Sequence, residues 1–272
     1  MVTENNSKIP GKQTTGIWIK SFIQIHEVIL KKIMKPGVVL VSIMLMFSCS
    51  KKESNMPPIV QPKTDCRIAS ANYSGGALNF TYTLTYNDDG KISKLVYDGL
   101  SAYVKTFTYS GNMIYINING VISATDTITL NSAGLMVAHK ETTDTSVYNT
   151  TFAYDTNGQV ATSTTQQDNL PPVTTNYTFT NGDLTNTSVG GMKDTTVYSL
   201  DKPAVIGNLD DFDQLIYYGA SYYTNKHLKQ SFSSWPYHYT FTYTYDEDGK
   251  ITSVVSNDGT ALETFNFNYE CK

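Results

Sequence analysis

Residues 245–255, YDEDGKITSVV, have near-copies elsewhere in the chain: YNDDGKISKLV at 86–96 and YDTNGQVATST at 154–164. In each copy a tyrosine is followed by a polar turn that contains glycine, and then by a strand-like run. Glycine adopts a positive φ without steric cost, and Asp and Asn side chains bond to the backbone of tight turns. The motif therefore predicts a β-hairpin, in which the turn joins two strands.

The turn glycines recur at a nearly constant interval. Gly90, Gly111, Gly134, Gly158 and Gly182 follow one another by 21, 23, 24 and 24 residues, and Gly249 lies 67 residues further on. The last interval corresponds to about three such steps. One repeat is thus a strand, a tight turn, a second strand and a looser return, and we expect about twelve strands, give or take three.

The strands alternate between two kinds of side chain. LNFTYTLTY at 78–86 and YHYTFTYTY at 237–245 each place aromatic and aliphatic residues on one face and mainly threonine on the other. We expect the aromatic face to point inward and the threonine face to meet water. The predicted fold is all-β: an antiparallel meander of repeated hairpins, curled into a soluble barrel or a strongly twisted sheet.

Residues 201–236 interrupt the repeat and predict a short, partly helical insertion. Residues 210–217 suit one or two helical turns, with Asp210 or Asp211 as the N-cap. An insertion of this length is usually functional or covers one end of the fold. Its aromatic residues are candidates for a ligand-binding site, and the alternative is that the rings fill the barrel end. These candidates are Tyr217, Tyr218, Tyr222, Tyr223 and Trp235.

The N-terminal region has the features of an export signal. Residues 34–48 contain Lys35 and an apolar run of signal-peptide length, too short to span a bilayer as a helix. The sequence MFSC resembles a lipobox, which implies cleavage before Cys49 and attachment of lipid to it. Residues 1–33 read as an upstream or mis-annotated leader, and residues 49–65 as the lipidated cysteine and a flexible tether. The β domain then occupies 66–272.

Two further cysteines, Cys66 and Cys271, lie near the two ends of this domain. In an oxidising compartment they are candidates for a disulfide, which requires the two ends to be neighbours. Two free thiols or an intermolecular bridge are the alternatives.

Charge and motif content narrow the function. Residues 49–272 hold 20 − 6 = 14 basic and 24 − 2 = 22 acidic residues, a net charge of −8, which disfavours nucleic acid as a partner. No sequence motif for a metal, a cofactor or a catalytic nucleophile is found, so we expect no cofactor, no metal and no enzyme activity. Asp210, Asp211 and Asp213 could serve as an acid/base pair, although acidic residues at a helix start more often have a capping role.

The repeat Tyr-x-x-x-Gly-x-Ile/Val resembles the YD repeats of Rhs-type proteins. Together with the lipobox, the segment NLDDFDQL and the C-terminal repeat copy, it resembles a group of Bacteroidetes lipoproteins over roughly residues 66–272. That resemblance implies a porin-like antiparallel β fold and carries no catalytic residues.

These observations favour an outer-membrane lipoprotein that faces the periplasm or the cell surface. Its expected partners are the bilayer, through acylated Cys49, and a glycan or an envelope protein. We expect a non-enzymatic binding module for glycan or peptide; the alternative is a structural or assembly component of the envelope with a protein partner.

Overall fold

The computed structural model describes residues 66–76, 78–121 and 123–271, and these form sixteen β-strands and one α-helix. The strands are β1 (Cys66–Gly75), β2 (Leu78–Tyr86), β3 (Ile92–Asp98), β4 (Tyr103–Ser110), β5 (Met113–Gly120), β6 (Ala124–Leu130), β7 (Met136–Thr143), β8 (Val147–Tyr154), β9 (Val160–Gln167), β10 (Val173–Thr180), β11 (Asp183–Val189), β12 (Met192–Pro203), β13 (His227–Ser234), β14 (Tyr237–Tyr245), β15 (Ile251–Asn257) and β16 (Leu262–Cys271). The helix, α1 (Leu209–Tyr218), lies between β12 and β13. The predicted leader, signal peptide, Cys49 and tether lie outside the described residues.

The strands form a closed barrel in which each one pairs antiparallel with its sequence neighbours. The barrel closes because β1 also pairs with β16, and this ladder aligns Cys66 with Cys271. The two cysteines form a disulfide. The all-β meander was thus predicted correctly, and of the two shapes left open the chain adopts the barrel. The expected strand number was too low, because the six turn glycines account for twelve strands. They leave out β12 and β13, which border the helix, and β1 and β16, which close the barrel.

An up-and-down meander places alternate connections at opposite ends of the barrel. One end holds the disulfide, the turns that follow the even-numbered strands, and the connection from β12 to β13; we call it the plugged end. The other end holds the eight connections that follow the odd-numbered strands, and we call it the rim end. All six turn glycines of the repeat lie at the plugged end and have positive φ.

The two faces of the strands are divided as the alternation predicts. In β2 the inward side chains, such as Tyr82 and Leu84, are buried, whereas Thr83 and Thr85 are exposed. The same division holds in β14, where Thr240, Thr242 and Thr244 are exposed. The threonine face therefore forms the outside of the barrel, and the aromatic face forms its interior.

Each part of the repeat motif has a structural role at the plugged end. The first polar residue of the turn accepts hydrogen bonds from the backbone, as Asp246 does from the Lys250 N–H at 2.9 Å. The β-branched or apolar residue two positions after the glycine is fully buried: Ile92, Met136, Val160 and Ile251 are each at most 1% exposed. The turn is thus held by local hydrogen bonds, and the strand that follows it begins with a core residue.

Tyrosines near the plugged end tie neighbouring strands together. The hydroxyl of Tyr154 in β8 donates to the backbone oxygen of Met136 in β7 at 2.6 Å. The same link joins other strand pairs through Tyr86 to Ile68, Tyr109 to Ile92, Tyr243 to Lys229 and Tyr269 to Ile251. These phenols bury their rings while satisfying a polar group, because each donates to a nearby carbonyl.

The insertion is shorter than expected, because β12 continues to Pro203 and β13 resumes at His227. The connection that departs from the barrel is therefore 204–226. Its helix was predicted at 210–217 and is found at Leu209–Tyr218. Within the described residues, no helix has both the length and the apolar character that crossing a bilayer requires.

The connection 204–226 enters the lumen, and we call it the plug. Phe212 contacts the rings of Tyr82 in β2 and Phe267 in β16, while Tyr222 contacts those of Phe152 in β8 and Tyr177 in β10. Because these strands lie on different sides of the barrel and their side chains point inward, the plug lies between opposite walls. The prediction that this segment covers one end of the barrel is confirmed.

We predict that Tyr154→Phe lowers the free energy of unfolding by about 1 kcal/mol, because it leaves the Met136 carbonyl without its donor at an unchanged ring volume. Chemical denaturation of the two proteins measures this difference. Tyr115→Phe, on the outer face of β5, is the matched control and should change stability by less than about 0.5 kcal/mol. Equal effects of the two substitutions would contradict a specific role for the strand link.

Candidate functional site: the plugged lumen and an outer cleft

The helix of the plug is capped at both ends by local residues. Asn208 is the N-cap, and its side-chain oxygen accepts from the Asp211 N–H at 3.0 Å. At the other end Gly219 has a φ of 65°, and its N–H donates to the Leu215 carbonyl. The prediction of Asp210 or Asp211 as N-cap was wrong by two or three positions; both lie in the first turn, where acidic side chains interact favourably with the helix dipole.

Gln214 holds the second half of the plug against the helix. Its amide nitrogen donates to the backbone oxygens of Asp210 and Tyr223, and its oxygen accepts from the Tyr222 and Tyr223 N–H groups. The side chain is 3% exposed. A buried amide with this many partners fixes the path of the chain after the helix.

A carboxylate of the barrel wall receives the chain as it leaves the plug. Asp183, at the start of β11, accepts from the N–H groups of Lys226 and His227 and pairs with His227 Nδ1 at 2.7 Å. Asn225 adds two contacts, accepting from the Leu184 N–H and donating to Asp210. Asp183 is 1% exposed, so its carboxylate makes these contacts out of reach of water.

Lys105 of β4 reaches the C-terminal end of the helix from inside the barrel. Its Nζ donates to the backbone oxygens of Ile216 and Tyr217 at 3.2 and 3.3 Å. These carbonyls belong to the last helical turn, where the helix dipole favours a positive charge. The ammonium also lies 5.2 Å from the centre of the Tyr217 ring. Lys105 therefore joins the wall to the plug.

Three other ionisable side chains surround Lys105 in the barrel interior: Asp126 of β6, and His139 and Glu141 of β7. Burial lowers the pKa of Lys105 to about 8, although Asp126 and Glu141 oppose this shift. Burial, reinforced by Asp126, raises the pKa of Glu141. Asp126 Oδ1 and His139 Nε2 lie 3.7 Å apart, and neither atom has a hydrogen-bond partner within the described residues.

The acidic run at the start of the helix is used to hold the plug. Asp210 forms an ion pair with Lys229 of β13 and accepts from Asn225. Burial raises the pKa of Asp213 to about 7, with Lys229 lowering and Asp210 raising it. Asp211 accepts from the Asn208 amide at 2.7 Å. Two of the three carboxylates are thus engaged in contacts that position the helix.

The structure brings together four of the five predicted aromatic candidates. Tyr217, Tyr218, Tyr222 and Tyr223 all lie in the plug, in contact with one another and with the inner wall. Trp235 lies elsewhere, in the turn between β13 and β14 at the rim end, and is 69% exposed. The five residues therefore do not form one cluster, because the insertion ends before β13 and Trp235 follows that strand.

A cleft of about 380 Å³ opens near the rim end of β16, β1, β2 and β3. Amide, hydroxyl and carboxylate groups make up most of its lining, beside two aromatic residues. The lining consists of Asn72, Ser74, Asn79, Thr81, Asp98 and Asn266, with Tyr73 and Phe80. We call it the amide cleft. Among residues 66–76, 78–121 and 123–271, no group of three or more His, Cys, Asp or Glu side chains is placed to bind a metal ion.

Two solved structures have a similar arrangement of strands. One is a porin-like protein from Bacteroides uniformis, with a TM-score of 0.54 and 18% identity, over 75% of this chain and 98% of that one. The other is a porin-like protein from Bacteroides vulgatus, with a TM-score of 0.53 and 16% identity, over 76% of this chain and 99% of that one. The chain shares its fold with these porin-like proteins. No protein-family model matches the sequence, and no curated protein matches it.

The porin-like fold implied by the sequence resemblance is thereby supported.

Several charged residues of the barrel interior were not predicted from the sequence. Lys105 and Asp126 occupy inward positions of strands whose other inward residues are apolar, so a charge on the buried face was a usable signal. Asp183 offers no such signal. It follows a turn glycine, as many solvent-exposed acidic residues do, and only the return of the plug gives it partners.

We predict that Lys105→Met changes how stability depends on pH. The pKa of Lys105 is about 8 in the folded protein and about 10.5 when unfolded, so the unfolded chain binds more protons between these values. The free energy of unfolding of the wild type, relative to that of Lys105→Met, should therefore rise by about 2 kcal/mol from pH 7.5 to 9.5. Unfolding of each protein is measured across this pH range, and the substitution of an exposed lysine, Lys140→Met, is the control. A difference between wild type and Lys105→Met that does not change with pH would contradict the prediction.

Proposed function

We propose that this chain is an exported lipoprotein of the outer membrane, anchored through Cys49, whose barrel stands in water as a non-enzymatic binding module. The observation that supports the barrel's environment is the composition of its outer face. A barrel that spans a membrane carries an apolar band toward lipid. Here the outward positions are mainly threonine, with Asn, Ser and Lys, for example in β2, β10 and β14.

The presence of the plug in the lumen argues against catalysis or conduction inside the barrel. The plug contacts inward side chains on several walls, and the ionisable groups of the interior are mostly paired with it through Lys105, Asp183 and Lys229. Groups that hold a structural element in place are constrained against acting on a substrate. We therefore propose that the ligand binds outside the lumen.

The amide cleft has the chemistry to bind a glycan. Asparagine side chains offer both donors and acceptors, which match the hydroxyl groups of a sugar, and Asp98 adds an acceptor. Tyr73 and Phe80 border the cleft, but their rings stack on each other on the inward side of the strands. A cleft of about 380 Å³ falls within the range of small-ligand sites. We favour a neutral glycan over a peptide because polar groups predominate in this lining.

The anchor can be tested separately from the ligand. We expect mass spectrometry of the mature protein to find Cys49 as a diacylated N-terminal residue. Cys49→Ala should move the protein from the membrane fraction to the fraction released by salt or carbonate, because the polar barrel has no other hold on lipid. Wild type with the unchanged cysteine is the control. A Cys49→Ala protein that still resists carbonate would show that the barrel itself lies in the membrane.

Glycan binding can be tested with a panel of neutral envelope and dietary oligosaccharides. For a sugar bound by the wild type, we expect Asn79→Ala combined with Asn266→Ala to weaken affinity about thirtyfold, since each loses hydrogen bonds worth about 1 kcal/mol, or about 2 kcal/mol together. Asn117→Ala, on the outer face of β5, is the matched control and should bind normally. Calorimetry measures each affinity. Absence of binding to every sugar, or an equal loss in the control, would refute the glycan proposal.

A further inference from the structure

Exposed large apolar side chains are concentrated at one end of the barrel. Five of the eight rim-end connections each present one within the described residues, at their tips or at the adjoining strand start. These are Leu100, Val121, Leu170, Trp235 and Leu262, which are 82%, 68%, 57%, 69% and 61% exposed. We call this set the apolar rim. At the plugged end, within the described residues, exposed large apolar side chains are fewer: Tyr245, 40% exposed, ends β14, and Leu200, 63% exposed, lies near the end of β12.

The five residues recur around one end of the barrel. The five connections follow β3, β5, β9, β13 and β15, so they are distributed around the circumference. Single exposed apolar residues are ordinary on a protein surface. Their concentration at one end, on separate connections, is what points to a partner that contacts several of them at once. Pro171 and Pro236 follow Leu170 and Trp235 directly and restrict their loops, which lowers the entropy lost on binding.

The charges of the rim end restrict what can occupy it. Its connections and the strand residues that adjoin them directly include four carboxylates, Asp98, Asp144, Asp168 and Asp258, and no Lys or Arg. A second copy that met this face with its own would juxtapose eight carboxylates, and an anionic bilayer surface would also be repelled. A partner surface that combines apolar residues with Lys or Arg is complementary both to the apolar side chains of the rim and to its carboxylates.

The chain enters the barrel at the end opposite the rim. Residues before Cys66 join β1 at the plugged end, and the rim lies at the other end of every strand. The rim is therefore not the face at which the N-terminal part of the chain joins the barrel.

We propose that the apolar rim is a docking surface for a protein partner that presents basic side chains around an apolar centre. This inference goes beyond glycan binding and shares with it the lipid anchor and Asp98, which lies where the amide cleft meets the rim. Apolar contacts from the five tips supply the buried surface, and the four carboxylates select the partner and orient it.

Site-specific photocrosslinking in cells tests the proposal with the full-length chain. The photoreactive residue p-benzoyl-phenylalanine replaces Leu100, Leu170 or Leu262 in turn. Matched controls carry it at the exposed plugged-end positions Asn112, Ala133 and Asn157. We expect the same protein adduct from at least two rim positions and from no control position. Mass spectrometry of the adduct should map the crosslink to a segment in which Lys or Arg adjoins apolar residues.

A charge variant makes the test specific to the rim's chemistry. Asp144→Asn combined with Asp168→Asn should reduce the adduct several-fold, because both carboxylates are exposed at this end and neither lines the amide cleft. Asp88→Asn combined with Asp89→Asn, in an exposed plugged-end turn, should leave the yield unchanged. Adducts with a second copy of this chain or with lipid, no adduct, or a yield that ignores the rim carboxylates would each overturn the proposal. Loss of glycan binding in the cleft variants has no bearing on this outcome.

Discussion

The width of a sixteen-stranded barrel is the constraint from which the rest of this structure follows. Eight strands enclose an interior that side chains can fill, whereas sixteen leave a lumen too wide for the wall residues to fill alone. The aromatic inward face would then meet water in the middle of the barrel. The plug resolves this, because Phe212 and the plug tyrosines pack against inward rings from several strands. The plug is thus part of the hydrophobic core of the barrel.

Apolar contacts stabilise the plug in the lumen, and polar contacts fix its position there. Rings can slide over one another at little cost, but a buried donor without an acceptor is expensive. Lys105 reaches the end of the helix, Asp183 receives the returning chain, and Gln214 joins the two halves. Each contact is satisfied in one position of the plug only. Lys105 and Asp183 are therefore best understood as groups that position the plug, which directs attention to the outer surface for binding.

The exterior divides into regions of different chemistry. Threonine-rich strands form the wall, the amide cleft interrupts it near β1 and β2, and the apolar rim occupies one end. Because the interior is engaged with the plug, the cleft and the rim are the surfaces from which function can be inferred. They fit ligands of different character: a polar cleft suits sugar hydroxyls, and an apolar rim with carboxylates suits a basic protein surface. A tethered barrel can present both at once, since they lie on different faces.

The sequence by itself determined the hairpin unit, the turn glycines and the face of each strand that is buried, because these depend on residues two to five positions apart. It also indicated the short helix through a local apolar pattern. It did not determine the strand number, the choice of barrel over open sheet, or the separation of Trp235 from the plug tyrosines. Those were decided by contacts between distant residues, such as Lys105 with Ile216 across 111 positions and Cys66 with Cys271 across 205. A local pattern can state that a side chain will be buried; only the closed barrel decides which other side chain it meets there.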